Sequence, residues 1–210
     1  MLEIMNEGGI IMYFILLLSL IATVIIIERL LFFRRIRIDE DKMMNRLKST
    51  LEKGHFDEAL SICENNPSPV TNLMKVGIEH RHYENHIIKE VIMDAANLEI
   101  PKLEKFLSSL GTIAHIAPLL GLLGTVIGNI IAFGVLGKFG AVGDPGLLAK
   151  GISQALLTTA AGLIVAIPVI IFYNYLVNKV NHTIIRLENR VNELVLFLGS
   201  RKTEASLNEV

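Results

Sequence analysis

Three uncharged, mostly apolar runs organise the chain, at 8–27, 106–137 and 151–178. A hydrocarbon core of roughly 30 Å takes about 20 helical residues to cross, so each run is long enough to span a bilayer. The second and third would reach about 40–50 Å as helices and should project from the hydrocarbon or tilt in it. The first run does not read as a secretory signal. Glu3 and Glu7 precede it where a basic segment belongs, and Glu28, Arg29, Arg34, Arg35 and Arg37 follow it. It is expected to be a retained span.

Basic residues set the expected orientation. They follow span one, precede span two (Lys102 and Lys105) and follow span three (Lys179, Arg186 and Arg190). The loop near 138–150 carries little charge, and the N-terminus carries only acids. The layout read from this is an outward-facing N-terminus 1–8, transmembrane helix 9–31, cytoplasmic helical domain 32–106, and transmembrane helix 107–137. An outward loop 138–148, transmembrane helix 149–179, and a cytoplasmic C-terminal helix and tail 180–210 complete it.

The cytoplasmic stretches alternate at helical spacing. Met44, Leu47 and Leu51 mark a helix over 41–52 that Gly54 stops. A short helix over 56–64 ends at Pro67 and Pro69, and a third covers 70–80. A long helix over 85–110 should run on into span two, with a kink at Pro101. Val180, Ile184, Leu187, Val191, Leu194 and Leu198 step by four and three, a heptad seam between charged positions. Such a seam serves a cytoplasmic bundle of identical chains or packing on the chain's own domain, and the first is the favoured expectation.

The spans themselves carry small residues in register. Gly121, Gly124 and Gly128 share one face of span two with Thr125 on it or at its edge, and Pro118 interrupts the helix bonding. In span three, Ala155, Thr159, Gly162 and Ala166 step by four, three and four. Gln154 and Thr158 form a polar strip beside them, and Pro168 follows. Small residues at this spacing let helices approach closely in lipid. The matching faces of small residues and threonine therefore point to a tightly packed, polar-lined interior.

No Asp, Glu, Lys or Arg lies deep in any span. Ion pathways through membranes usually show an intramembrane ionisable group, so a titrating group would have to come from a partner. His115 reads as an interfacial or hydrogen-bonded imidazole. His80, His82 and His86 read as a solvated face, and Cys63 as inert packing. No nucleophile–base pair, metal set or phosphate loop is present in the pattern, so no enzyme, cofactor or metal is expected. A net charge of −1 argues against nucleic acid.

The run from Ala117-Pro118 through Gly121, Gly124 and Thr125-Val126 resembles the second-span signature of the MotA/TolQ/ExbB proton-channel proteins. The run from Gly151 through Gln154-Ala155, Thr158-Thr159 and Gly162 to Ala166-Ile167-Pro168 and Tyr173-Asn174 resembles their third-span signature. Length and span number match the ExbB/TolQ branch. The resemblance implies an all-α inner-membrane protein with a periplasmic N-terminus and cytoplasmic C-terminus, assembled as a pentameric ring. It implies a single-span partner, similar to ExbD or TolR, whose membrane Asp carries the proton, and a TonB-like or TolA-like protein that takes the energy to the outer membrane. Thr125 and Thr159, with Gln154 and Thr158, would line the proton pathway. Pro118, Gly121, Gly124, Gly128, Ala155, Gly162, Ala166 and Pro168 would shape the helix packing. Many family members carry Glu where this chain has Gln154, which cannot titrate. Nutrient import and envelope maintenance both fit the pattern. The rivals are a non-conducting membrane scaffold that assembles a partner complex, and a solute transporter, for which the expected internal repeat is not visible.

Overall fold

The structure, a computed structural model, describes residues 8–37, 40–139 and 145–208. Among them there are seven helices and no strand: α1 (Gly9–Arg37), α2 (Glu40–Glu52), α3 (Phe56–Asn65), α4 (Pro69–Glu79), α5 (Asn85–Glu104), α6 (Leu107–Phe139) and α7 (Pro145–Asn208). Three stretches, Gly9–Ile36, Asn85–Val135 and Pro145–Phe197, contain helix long and apolar enough to cross a membrane. Most of the expected outward N-terminus 1–8 and the middle of the 138–148 loop lie outside the described residues.

The chain forms two compact units, to both of which α1 and α7 contribute. The first holds α1 up to Leu30, α6, and α7 as far as Val177. Small side chains dominate its interior: Ala22 and Ala117 are fully buried, and Ala114, Ala132, Ala155 and Ala166 nearly so. Many bulky residues point outward, with Leu20, Ile130, Phe133, Leu156 and Ile164 each more than 60% exposed, while Ile15, Leu110 and Leu176 are buried among the small ones. This inverts the soluble pattern and suits a unit solvated by lipid, where close backbone contact replaces the hydrophobic effect.

The second unit comprises Leu31–Lys105 and the α7 tail from Asn178. Helices α2 to α5 pack in sequence, each on the next. Gly54, at φ +79°, ends α2 in the left-handed conformation glycine tolerates. Ser68 and Thr71 start α4 with a reciprocal capping box, the Thr71 amide donating to Ser68 Oγ at 3.2 Å and the Ser68 amide to Thr71 Oγ1 at 2.7 Å. Pro69 follows at the first helical position, where its missing N–H costs nothing.

Val180, Leu187, Val191 and Leu194 of the heptad seam are buried inside this second unit. Leu194 fills the space over Gly77 of α4, where a Cβ would stand 2.5 Å from its Cδ2. Glu193 pairs with Lys48 of α2 and, at 3.0 Å, with Arg190. These four seam positions are therefore covered by the chain's own domain. A heptad records only that a helix needs an apolar partner, and at these four positions the chain's own domain supplies one.

The expected continuous helix over 85–110 is instead two. Pro101 stays inside α5, but the chain breaks after Glu104, and Phe106 takes a left-handed φ of +64°. That conformation costs a non-glycine residue about 1–2 kcal/mol. An Arg29 guanidinium 5.9 Å from the Phe106 ring centroid is in position to offset it, such contacts contributing about 0.5–2 kcal/mol. Arg29, which from the sequence is a simple basic flank of span one, is only 2% exposed. Its guanidinium is held by the Glu28 carboxylate at 2.5 and 2.6 Å.

Candidate functional site

The site is a seam between α6 and α7 built from missing side chains. A Cβ added at Gly128 would stand 2.6 Å from the Gly151 carbonyl oxygen and 2.8 Å from the Ala155 Cβ. At Gly124 it would stand 2.1 Å from Thr158 Oγ1, and at Gly121 3.0 Å from the Thr159 Cα. At Gly162 it would meet the Ala117 carbonyl oxygen at 2.6 Å. Ascending α6 from 117 to 128 thus descends α7 from 162 to 151, an antiparallel pair in backbone contact over about three turns.

Gly151, Ala155, Thr158, Gly162 and Ala166 are the α7 residues buried along this line. The face is rotated by one residue from the expected one at its threonine. Thr158 is fully buried, and its hydroxyl donates to the Gln154 and Ala155 carbonyls, both at 3.0 Å. Thr159 lies at the margin, half-buried, and its hydroxyl donates across the seam to the Gly121 carbonyl at 3.0 Å. Thr125, also half-buried, lies one turn along α6 from Gly121 and donates to the Leu122 carbonyl at 2.6 Å. Two threonine hydroxyls therefore border one glycine seam on its accessible side.

Gln154 is half-buried at the end of the seam, with its amide against the N-terminus of α1. A Cβ on Gly9 would stand 2.4 Å from Gln154 Nε2, and Gly9 itself has φ +65°. The two glycines at 8 and 9, before an apolar run, are the sequence signal for this close approach, and span-by-span reading passes over them. Gly151, opposite Gly128, was likewise legible as a small residue four before Ala155.

Pro118 is half-buried in α6 and Pro168 is exposed on α7. Each removes one intrahelical donor, from the Ala114 and Ile164 carbonyls respectively. Tyr173 packs on Gly111, where a Cβ would meet its ring at 2.9 Å. His115 is exposed, with Nδ1 2.7 Å from the Gly111 carbonyl oxygen. His82 and His86 are exposed, and His80 Nδ1 lies 2.9 Å from the Val76 carbonyl oxygen. No group of three His, Cys, Asp or Glu that could hold a metal occurs among the described residues. In the second unit Cys63 is buried, and burial pushes its thiol up to about 11.

The pattern of the MotA/TolQ/ExbB proton channel family matches residues 65–189, which include the whole seam. The chain is 31% identical over 192 residues to a putative biopolymer transport protein ExbB homolog of Methanothermobacter thermautotrophicus, covering 89% of this chain and 66% of that protein. It is 40% identical over 112 residues to the biopolymer transport protein ExbB of Aquifex aeolicus, covering 53% of this chain and 74% of the relative. To the Tol-Pal system protein TolQ of Haemophilus influenzae it is 41% identical over 87 residues, 41% of this chain and 38% of the relative.

Proposed function

The chain belongs to the MotA/TolQ/ExbB proton channel family, in its ExbB/TolQ-like branch, and from that premise we propose that it is the ring-forming stator subunit of a proton-driven complex. As a multi-pass inner-membrane protein and proton-channel subunit, it would couple proton flow to work at the outer membrane, either import energisation or envelope maintenance. Identical copies, five in the family's arrangement, surround the single spans of an ExbD/TolR-like partner. A TonB-like or TolA-like protein carries the energy onward. The N-terminus and the 138–148 loop face the periplasm, and the tail from 180 faces the cytoplasm.

The observation that carries this reading is a pairing of polarity with the lack of an acid. The spans hold no carboxylate of their own in their depth, yet Thr125 and Thr159 stand at the accessible margin of a glycine seam. A charged carboxylate is costly in a low-dielectric space, and burial favours its neutral form. A partner's aspartate would pass from copy to copy most easily when protonated, so protonation gates its movement. We assign Thr125 and Thr159 to the proton pathway, Gln154 to its outer end, and Thr158 to the helix contact that holds the threonines in place. Gln154 offers hydrogen bonds there without titrating. Catalysis of bond-breaking chemistry has no part in this role.

Native mass spectrometry of the chain in mild detergent, alone and co-expressed with an ExbD/TolR-like protein, tests the assembly. A closed ring of copies that takes up the one-span partner is expected. A monomer or dimer that ignores the partner would leave the stator reading without a basis. A ring supporting a function insensitive to uncouplers would favour the non-conducting scaffold.

A further inference from the structure

A threonine hydroxyl has one proton to donate and two lone pairs that accept. At both margin threonines that proton is already committed. Thr159 donates across the seam to the Gly121 carbonyl, and Thr125 donates to the Leu122 carbonyl of its own helix. A carbonyl cannot donate, so the direction of both bonds is fixed by chemistry. Thr158 holds no donor in reserve, being fully buried and bonded to two carbonyls of α7. What remains at the two margin threonines is lone pairs alone.

Granting the partner acid of the reading above, we propose that Thr125 and Thr159 form an acceptor-only site that seats the neutral carboxyl and turns away the carboxylate. An ionised carboxylate is itself acceptor-only, whereas a protonated one has a single O–H to give. The neutral acid therefore completes a hydrogen bond at either threonine without disturbing the seam. The ionised acid finds acceptors facing acceptors, unless a hydroxyl turns away from its carbonyl. At Thr159 that turn also gives up its hydrogen bond from α7 to the Gly121 carbonyl of α6, so the seam opposes it. The threonines would thus discriminate by proton, not merely tolerate a polar group.

Other groups that bear on the pH dependence lie further off along their helices. Among the described side chains of this unit these are Glu28, Arg29 and Tyr13 on α1, His115 on α6, and Lys150, Tyr173 and Tyr175 on α7. His115 and Lys150 are ten and nine residues from the threonine of their helix, more than two turns. Tyr13, four residues from the Gly9 that touches Gln154, is the one to control for, with Tyr13→Phe.

The test uses the full-length chain in lipid nanodiscs and two synthetic single-span helices, identical except for one midplane Asp or Asn. Asn supplies N–H donors at every pH. Binding is measured from about pH 5 to about pH 9, with empty nanodiscs as the control for insertion. A host that prefers the neutral acid raises the acid's bound pKa, so binding is full below the free helix's pKa and is lost as pH rises. The Asp helix is expected to weaken by about tenfold per pH unit above its free pKa, the protonated fraction falling tenfold per unit. The Asn helix should bind independently of pH, and Thr125→Val with Thr159→Val should weaken both helices at low pH. If the Asp helix binds more tightly as pH rises, the hydroxyls donate and the inference is overturned, while the pathway reading stands. If neither helix binds, or the valine variant binds both unchanged, the pathway reading falls and the inference with it.

Discussion

A single methyl group at Gly162 should pry α6 from α7. The new Cβ would stand 2.6 Å from the Ala117 carbonyl oxygen, 3.2 Å from the Gly121 Cα and 3.3 Å from the Gly121 nitrogen. All three are backbone atoms, so no rotamer change relieves the clash. Restoring an ordinary carbon–oxygen contact of about 3.3–3.6 Å requires the helices to part by about 0.7–1 Å. The Thr159-to-Gly121 hydrogen bond, at 3.0 Å, would then stretch beyond useful length. Overpacking of this kind costs about 1–3 kcal/mol, against which alanine gains about 1 kcal/mol over glycine inside a helix. Gly134→Ala supplies the matched control, because nothing lies within 4 Å of its added Cβ. Helicity of the full-length chain in dodecyl maltoside, titrated with SDS and followed by circular dichroism, reads the difference. Gly162→Ala should fall below Gly134→Ala by about 1–3 kcal/mol. If the two variants are equally stable, backbone contact is not what holds the seam.

Gly9→Ala should cost about 1–2 kcal/mol from its φ of +65° alone, and should also displace the Gln154 amide. In the same SDS titration, adding Gln154→Ala should recover only the part due to the collision; full recovery would show that the backbone at Gly9 is unstrained. Hydrogen bonds from Lys48 and then Arg190 hold the Glu193 carboxyl below the ordinary carboxylate range. Its stabilisation is therefore present above about pH 4.3 and is lost as pH falls through the lowered folded value. Because the groups are largely exposed, the effect should be about 0–1 kcal/mol, and an acid titration of Glu193→Gln should lack it; identical acid profiles would count against the pairing. Maleimide should label Cys63 slowly at pH 7.5 in the folded chain and fast after unfolding, since its thiol is buried and pushed up to about 11. Equal rates in both states would mean that the helices packed on α3 do not cover it.

The three spans were legible because lipid demands long uncharged helices, and the cytoplasmic helices because Met44, Leu47 and Leu51 recur at helical spacing and Gly54, Pro67 and Pro69 punctuate the stretch. The glycine faces of α6 were legible for the same reason. What escaped the sequence was set by tertiary detail. With two adjacent threonines, steps of three and four place either Thr158 or Thr159 on the seam. Only the collision-free fit of Gly124 against Thr158 decides that Thr158 is the buried one. Pro101 looked like the place where the long helix bends, but the break fell at Phe106, where Arg29 supports a left-handed residue. The burial of Arg29 beside Glu28 could not be read from a charge count, because the positive flank of a span reports orientation and not packing. The heptad of the α7 tail announced a partner without saying whether it lay in the same chain.

The most direct measurement is potential-driven proton uptake into proteoliposomes holding the chain with an ExbD/TolR-like one-span partner. It compares the unaltered chain with Thr125→Val plus Thr159→Val, with Gly134→Ala as the packing control. The double valine variant should fall to the level of a partner whose membrane Asp is replaced by Asn, while Gly134→Ala conducts normally. Undiminished flux in a correctly assembled double valine complex would contradict the role given to the two threonines.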